Sequence, residues 1–421
     1  MTRHVLTLLL AAALLAPAAA AGQQSIVTPG DCAWPVRSNA DHGNVAYPDQ
    51  SARYWVSSFA EAPGTHLEIK GRFPHARYIS FHAYEGSIPV DKVTDFELKP
   101  QRGTNPFKPG ADRTHPGTYK LNVVPEAPPA RARDRKPNTL YAGRGTNGEP
   151  LPAATIIYRV YLGEGDETGK VGLPEVTEVV ENGSGAPQRL PACPPHQAAD
   201  NAGVNGLVAG ESVPASWPAG PLKGKPTWGV ARSSGGGVPN PFFPNFDNTY
   251  LSLAVTRDQG DVVAFRAKAP TFVHTRGARR EGRGQLRYWS FCTNDQYTTR
   301  YFGCLADQDA KLDAKGYVTV VVSDPAHRPR NLGRKDNWLP WGPAPDVFVL
   351  YRHMLPARGF AHAAQRVPAG GDPAKTLGAY YPRTVVCSTA RFERDRCGLP
   401  RPATPKRRRR AAVARFRRRD L

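Results

Sequence analysis

The sequence lacks several signatures that would fix a class at once. It has no Cys-x-x-Cys pair, so a zinc site is not expected. It has no Gly-X-Y period, which excludes a collagen. Beyond residue 21 no run reaches about 18 apolar residues, so no membrane-spanning helix is expected. Ten-residue helical stripes alternating with strands are missing, which argues against a doubly wound α/β fold. No G-x-S-x-G elbow, helical Ser-x-x-Lys, Walker or Rossmann fingerprint occurs. No nucleophile declares itself, and neither a metal nor an organic cofactor is expected. Acidic residues are few: 36 against 56 Lys and Arg give a formal net charge of +20.

What is present is a chain of 421 residues, long enough for two or three domains. It is 40% hydrophobic, enough to form real cores. Its 40 Gly and 42 Pro are too dense for a mostly helical protein. Residues 1–21 read as a secretory signal: a basic start at Arg3, a short apolar run, and Ala19-Ala20-Ala21 for cleavage. The mature chain is therefore expected outside the cytoplasm, periplasmic or extracellular. Six cysteines follow, and an even count in an exported chain favours disulfides. Sequence allows 15 pairings. Position suggests Cys32–Cys193 bracketing the first half, with Cys292–Cys304 and Cys387–Cys397 as local loops.

The positive charge is concentrated at the end. From Arg401 onward there are ten basic residues and one acid, Asp420. Self-repulsion predicts a disordered tail over 399–421. It is either a solvated extension or a contact for a polyanion, such as an envelope polymer or anionic lipid surface. Phe416 is its lone aromatic, too little for base stacking, so no specific nucleic-acid partner is expected.

The two halves of the chain resemble each other. Tyr54, Gly64 and Pro74 recur as Tyr250, Gly260 and Pro270 with the same spacing. Arg77-Tyr78-Ile79-Ser80-Phe81 matches Arg287-Tyr288-Trp289-Ser290-Phe291. The larger offset there implies extra residues in the second copy, around 276–284. Gly117-Thr118-Tyr119 matches Gly316-Tyr317, and Asn138-Thr139-Leu140 matches Asn337-Trp338-Leu339. Tyr158-Arg159 pairs with Tyr351-Arg352. Ordered matches of this kind read as a tandem duplication. Short alternating or β-branched runs, such as Leu67 to Lys70, Tyr119 to Val123 and Tyr317 to Val322, predict strands separated by turns. The expected fold is mainly β: two related β-sandwich or jelly-roll-like domains with short helices in the linkers. The expected boundaries are 22–44 for an N-terminal segment, 45–185 and 240–398 for the domains, and 186–239 for a Gly/Pro-rich connector. Short helices are expected at 198–213 and 359–366, and Trp217 and Trp228 suggest that part of the connector packs.

The second unit's Gly316-Tyr317 strand, its Asn337-Trp338-Leu339-Pro340 segment and its Tyr351-Arg352 strand ending at Leu355-Pro356 resemble an uncharacterised bacterial family, the domain of unknown function twelve-fourteen. The end of the first unit, Arg159-Val160-Tyr161 with Asp166, Gly169 and Leu173-Pro174, is similar to that family's C-terminal end. In the first unit Thr139 and Tyr141 replace the Trp and Pro. The resemblance implies a β-rich sandwich-type domain and carries no activity or catalytic residue with it.

Candidate site residues come from the repeated strands. Alternation puts Arg77, Ile79 and Phe81 on one face, with Tyr78, Ser80 and His82 opposite. In the second unit Arg287 shares a face with Trp289 and Phe291, opposite Tyr288, Ser290 and Cys292. Arg159 and Arg352 likewise lie among apolar neighbours. A guanidinium there must find acceptors. Either it ties down carbonyls or a carboxylate of the protein, or it presents a fork to an anionic ligand. The ligand-binding candidates are therefore Arg77, Tyr78, Ser80, His82, Arg159, Arg287, Tyr288 and Arg352. His66, His75 and His82 are not expected to converge on a metal. Asp307, Asp309 and Asp313 before Gly316 resemble a calcium loop without its closing Glu, and read as a polar turn. Glu85, Asp91 and Asp95 are nominal acid–base candidates. The leading functional expectation is binding of an anionic or polar envelope ligand, and the alternative is a secreted hydrolase acting on polysaccharide or another polymer.

Overall fold

The computed structural model describes residues 32–39, 44, 46–60, 64–145, 148, 151, 153–181, 186–194, 225–232, 243–296 and 298–403. The expected signal at 1–21, the helix at 198–213, Trp217 and most of the basic tail lie outside them. The protein is mainly β, with two tandem sandwiches. In the first unit, β1 (Val36–Ser38), β2 (Ala52–Ala60), β9 (Ala153–Tyr161), β4 (Tyr78–Glu85) and β5 (Ile88–Thr94) form one sheet, in that order. The facing sheet runs β11 (Gln188–Arg189), β10 (Glu175–Val180), β3 (Thr65–Arg72), β7 (Thr118–Val124) and β6 (Pro100–Arg102). A short β8 (Thr139–Tyr141) pairs in parallel with β7.

The second unit has a five-stranded sheet of the same order and a smaller, four-stranded second sheet. Its first sheet is β12 (Gly229–Arg232), β13 (Asn248–Thr256), β19 (Asp346–Pro356), β15 (Leu286–Asn294) and β16 (Tyr301–Ala306). Its second is β18 (Asp336–Pro340), β17 (Tyr317–Ser323), β14 (Val262–Lys268) and β20 (Arg383–Cys387), with β17 and β18 again parallel. β1 lies in the stretch expected as an N-terminal segment, and β11 and β12 lie in the expected connector. Helices are few: α1 (Pro373–Leu377) and α2 (Thr389–Asp395) are short, and the helix expected at 359–366 is one 3-10 turn at Ala364–Arg366. Among the described residues no helix is long and apolar enough to cross a membrane.

Each sandwich has its own apolar core, and the cores repeat each other. In the first, Phe81 stacks on Tyr158 at 4.7 Å; in the second, Phe291 stacks on Tyr351 at 4.0 Å. Trp228 is buried in the second core and donates from Nε1 to Thr384 Oγ1 at 2.8 Å. The repeated Asn does one job in both units. Asn138 Nδ2 donates to the carbonyls of Lys99 and Lys120, and its Oδ1 accepts from Lys99 N. Asn337 Nδ2 donates to the carbonyls of Lys311 and Thr319, and its Oδ1 accepts from Lys311 N. Each Asn thus ties the start of the parallel strand to its neighbours, and Leu140 or Leu339 then enters the core. The three disulfides are Cys32–Cys193, Cys292–Cys304 and Cys387–Cys397.

The outer faces of the two five-stranded sheets meet. Ala52, Tyr78 and Tyr161 of the first unit pack on Tyr288, Ala306 and Met354 of the second. β4 is consequently buried on both faces, from Tyr78 through Tyr84. Its alternation is as expected, but its polar face is covered by the other unit rather than by solvent.

Candidate functional site

The seam between the units gathers the residues expected to bind ligand. Two segments cross it reciprocally. Residues 46–50, just before β2, lie on the second unit, where Tyr47 N donates to Thr299 O at 2.8 Å and Tyr47 Oη to Gln296 O at 2.8 Å. Residues 243–247, just before β13, lie on the first, where Pro244 O accepts from Tyr84 Oη and His82 Nε2 accepts from Phe246 N. Tyr47 (φ 53°) and Phe243 (φ 50°) are both left-handed, a conformation that disfavours a side chain. A seam arginine holds each in place: Arg352 donates to Tyr47 O, and Arg159 to Phe243 O at 2.9 Å.

The arginines at the other end are crossed. Arg77 of the first unit reaches Asp307 of the second, with Nη1 at 3.1 Å from both carboxylate oxygens. Arg287 of the second sits 3.5 Å from Asp95 of the first. Each carboxylate also accepts a strand N–H of its own unit: Asp95 from Ile79, Asp307 from Trp289. Burial raises Asp95 to about 7 and Asp307 to about 6, against the pull of the arginines. Burial likewise raises Glu281, against the pull of Arg287 and Arg113. Arg113 donates to Glu281 Oε2 at 2.6 Å. Glu281 belongs to the extra segment of the second unit, whose backbone bonds to residues 110–113 of the first.

The tyrosine hydroxyls meet carboxylates from the crossing segments. Tyr288 Oη donates to Asp49 at 2.9 Å, and Tyr78 Oη to Asp247 at 2.7 Å. Ser290 Oγ donates to the same Asp49, and Lys92 to Asp247. Burial, with Arg159 and Lys92 nearby, depresses His82 well below its ordinary value, so it is neutral. Burial alone lowers His353 to about 3.

Seven of the eight expected residues are thus enclosed in the seam. Arg77, Tyr78, Ser80, His82, Arg159, Tyr288 and Arg352 are each at most 2% exposed. Arg287 reaches a cleft of about 400 Å³ at the seam's edge, lined also by Phe96, Pro109, Val273, Glu281 and Arg283. Phe96 is an exposed large hydrophobic side chain. Sequence reasoning missed Glu281; the available signal was a single acid among Arg279, Arg280 and Arg283 in a segment that only one repeat contains. The nominal acids do not converge on the cleft together. Asp91 accepts from Arg135 and from Tyr141 N, and Glu85 lies against Gly145. Asp313 is taken by Arg266 and by the backbone N–H groups of Lys315, Tyr317 and Ala403 in a turn, whereas Asp307 is buried in the seam against Arg77. His66 and His82 lie on different sheets.

No family model matches the chain, and no curated protein matches it. Among solved structures it is similar to an uncharacterised protein from Burkholderia cenocepacia, at 15% identity and a TM-score of 0.48 over 85% of this chain and 83% of that one. It is also similar to a protein from Vibrio parahaemolyticus, at 14% identity and a TM-score of 0.38 over 80% and 89%.

Proposed function

We propose that the chain is an exported, tandemly duplicated binding protein that takes an anionic or polar cell-envelope ligand in the cleft at the edge of the seam. The carrying observation is the lining: Arg283 beside the exposed ring of Phe96, on a wall completed by Arg287, which Asp95, Glu281 and the Arg77 and Phe107 carbonyls already hold, around a volume in the range of small-ligand sites. Guanidinium forks recognise carboxylate, phosphate or sulfate, and an exposed ring stacks on the apolar face of a sugar. The net charge of +20 draws anions toward such a site, and the basic tail adds an electrostatic contact with an anionic polymer or lipid surface. Three disulfides fit an oxidising compartment. The likeness to the domain of unknown function twelve-fourteen belongs to the same reading.

The test is equilibrium binding of fluorescent uronic-acid oligosaccharides and of isolated envelope fractions across a salt series. The full chain is compared with Arg283→Ala and with a chain ending at Pro400. Affinity at least tenfold weaker in Arg283→Ala, with the shortened chain still binding at moderate salt, supports the cleft. Binding that disappears with the tail and is unchanged in Arg283→Ala assigns the contact to counterion release instead.

One observation favours the hydrolase reading. Glu281 stands on the cleft wall with its carboxyl raised by burial, as a general acid requires. Reducing-end release from an envelope polysaccharide, abolished in Glu281→Gln, supports it; no release by the full chain ends it.

A further inference from the structure

The two halves of the seam are built alike but are not equally balanced in charge. In the half around β15 and β19, the Asp49 carboxylate accepts from Ser290 Oγ at 2.6 Å and from Tyr288 Oη, and lies 3.7 Å from Arg352. In the half around β4 and β9, the matching residues are Ser80, Tyr78 and Arg159. Ser80 stands directly opposite Arg159 in the ladder, as Ser290 stands opposite Arg352. The residue in the place of Asp49 is Asn245: Ser51 N bonds to Asp49 Oδ1 just as Asp247 N bonds to Asn245 Oδ1. An amide stands where the other half has a charge.

The consequence shows in the donors. Arg159 Nη2 donates to Tyr84 Oη and to Phe243 O, but its Nη1 meets no acceptor among the described residues. Ser80 Oγ lies beside the Tyr78 hydroxyl and meets no carboxylate, whereas Ser290 Oγ meets one in the other half. His82 accepts at Nε2, so its proton sits on Nδ1, which is also without an acceptor. All three residues are buried, at 2% exposure or less. Asp247 is the nearby carboxylate, and Lys92 (2.5 Å), Tyr78 and Thr94 already occupy it. Asp247 is thus paired with Lys92, and Arg159 faces the rings of Tyr54 and Tyr84 rather than a carboxylate, whereas Arg352 has Asp49. A buried guanidinium without a counter-charge, among unpaired donors, is costly.

We propose that a small monovalent anion of halide size binds between Arg159, Ser80 and His82, beside the Asn245 amide that replaces the Asp49 carboxylate of the other half of the seam. The anion neutralises Arg159 and accepts from Nη1, Ser80 Oγ and His82 Nδ1. It is a structural ligand of the seam and independent of the cleft.

Thermal unfolding of the full chain is followed in sodium chloride and in sodium gluconate at equal ionic strength. Gluconate is too large to enter. The expected midpoint is several degrees higher in chloride, rising with the logarithm of its concentration as a site-bound ligand requires. Asn245→Asp supplies the missing carboxylate, and its midpoint is expected to be the same in the two salts. Equal midpoints for the unaltered chain overturn the proposal and leave water as the occupant. Should Asn245→Asp fail to fold, bromide-soaked crystals of the unaltered protein decide. An anomalous peak within about 3.5 Å of Arg159 Nη1 supports the site, and its absence there overturns it.

Discussion

An arginine taken out of water needs both charge and acceptors, and the crossed pairs of the seam supply them from opposite units. Arg77 donates to Asp307, to Thr275 Oγ1 at 3.0 Å and to Gln308 Oε1 at 3.2 Å. Removing it leaves Asp307 buried with no cation. Arg77→Met should cost about 3–5 kcal/mol, the usual result of breaking a buried pair from one side. Arg77→Met with Asp307→Asn should recover most of that, because no buried charge remains. Urea denaturation of both variants checks this; a double variant no more stable than the single one rejects the account. Asp95 makes a prediction in pH. Its folded value of about 7 lies above the roughly 3.9 of an unfolded Asp, so the native state holds the proton more tightly. The stability this gives is complete below about pH 4 and is lost as pH rises to about 7. His82 and His353 act in the opposite sense below about pH 6.5, because both are held neutral in the fold. The wild-type profile therefore mixes signs, and Asp95→Asn isolates one of them. Asparagine can still accept the Ile79 N–H. The variant's stability relative to wild type should climb by about 1.4 kcal/mol per pH unit between about pH 4 and 7, then level off. A difference that stays flat across that range rejects the assignment.

At the scale of the element, the repeated Asn-x-Leu shows how far the sequence could be read. The recurrence was visible as a pattern; that Asn138 and Asn337 pin a parallel strand was not, because their partners Lys99 and Lys311 carry no recognisable signal of that role. Asn337 is 4% exposed and satisfies three backbone groups. Asn337→Ala should therefore cost about 2 kcal/mol or more, with the loss confined to β17 and β18 at first. Amide hydrogen exchange would show protection falling in those strands before β13 or β19, and uniform loss would count against a local role. β4 gives a complementary case. Period-two alternation placed Ile79 and Phe81 toward one core and Tyr78, Ser80 and His82 on the other face. What covers that second face comes from residues about 160 to 210 positions further along, such as Asn245 and Tyr288, and local pattern has no access to it. The disulfides were more legible, because two of them close short loops whose ends must be near anyway. The cleft was least legible: Glu281 and Arg283 belong to a segment without periodicity.

At the scale of the whole molecule, the question is whether either sandwich is a folding unit by itself. Each has a complete apolar core, which argues that it is. The seam argues that it is not. A second unit cut out as residues 225–403 loses residues 46–50, and with them the Asp49 carboxylate that accepts from Tyr288 and Ser290 and faces Arg352. It also leaves Asp307 without Arg77 and exposes the apolar surfaces of Tyr288 and Met354. Exposed tyrosine can be hydrated at modest cost. A buried acid and a buried guanidinium that lose their partners while staying half-enclosed cannot. The full chain should then unfold in a single transition shared by both units, reported alike by near-ultraviolet circular dichroism and by exchange in β4 and β15. The excised second unit should show either no cooperative transition or a midpoint well below that of the full chain. Adding the Asp49→Asn change to the full chain should move both units' exchange together, because the crossing segment couples them. A second unit that unfolds alone with the midpoint it has in the full chain would show that the two sandwiches are merely adjacent, and the crossed pairs of the seam would then be contacts without energetic weight.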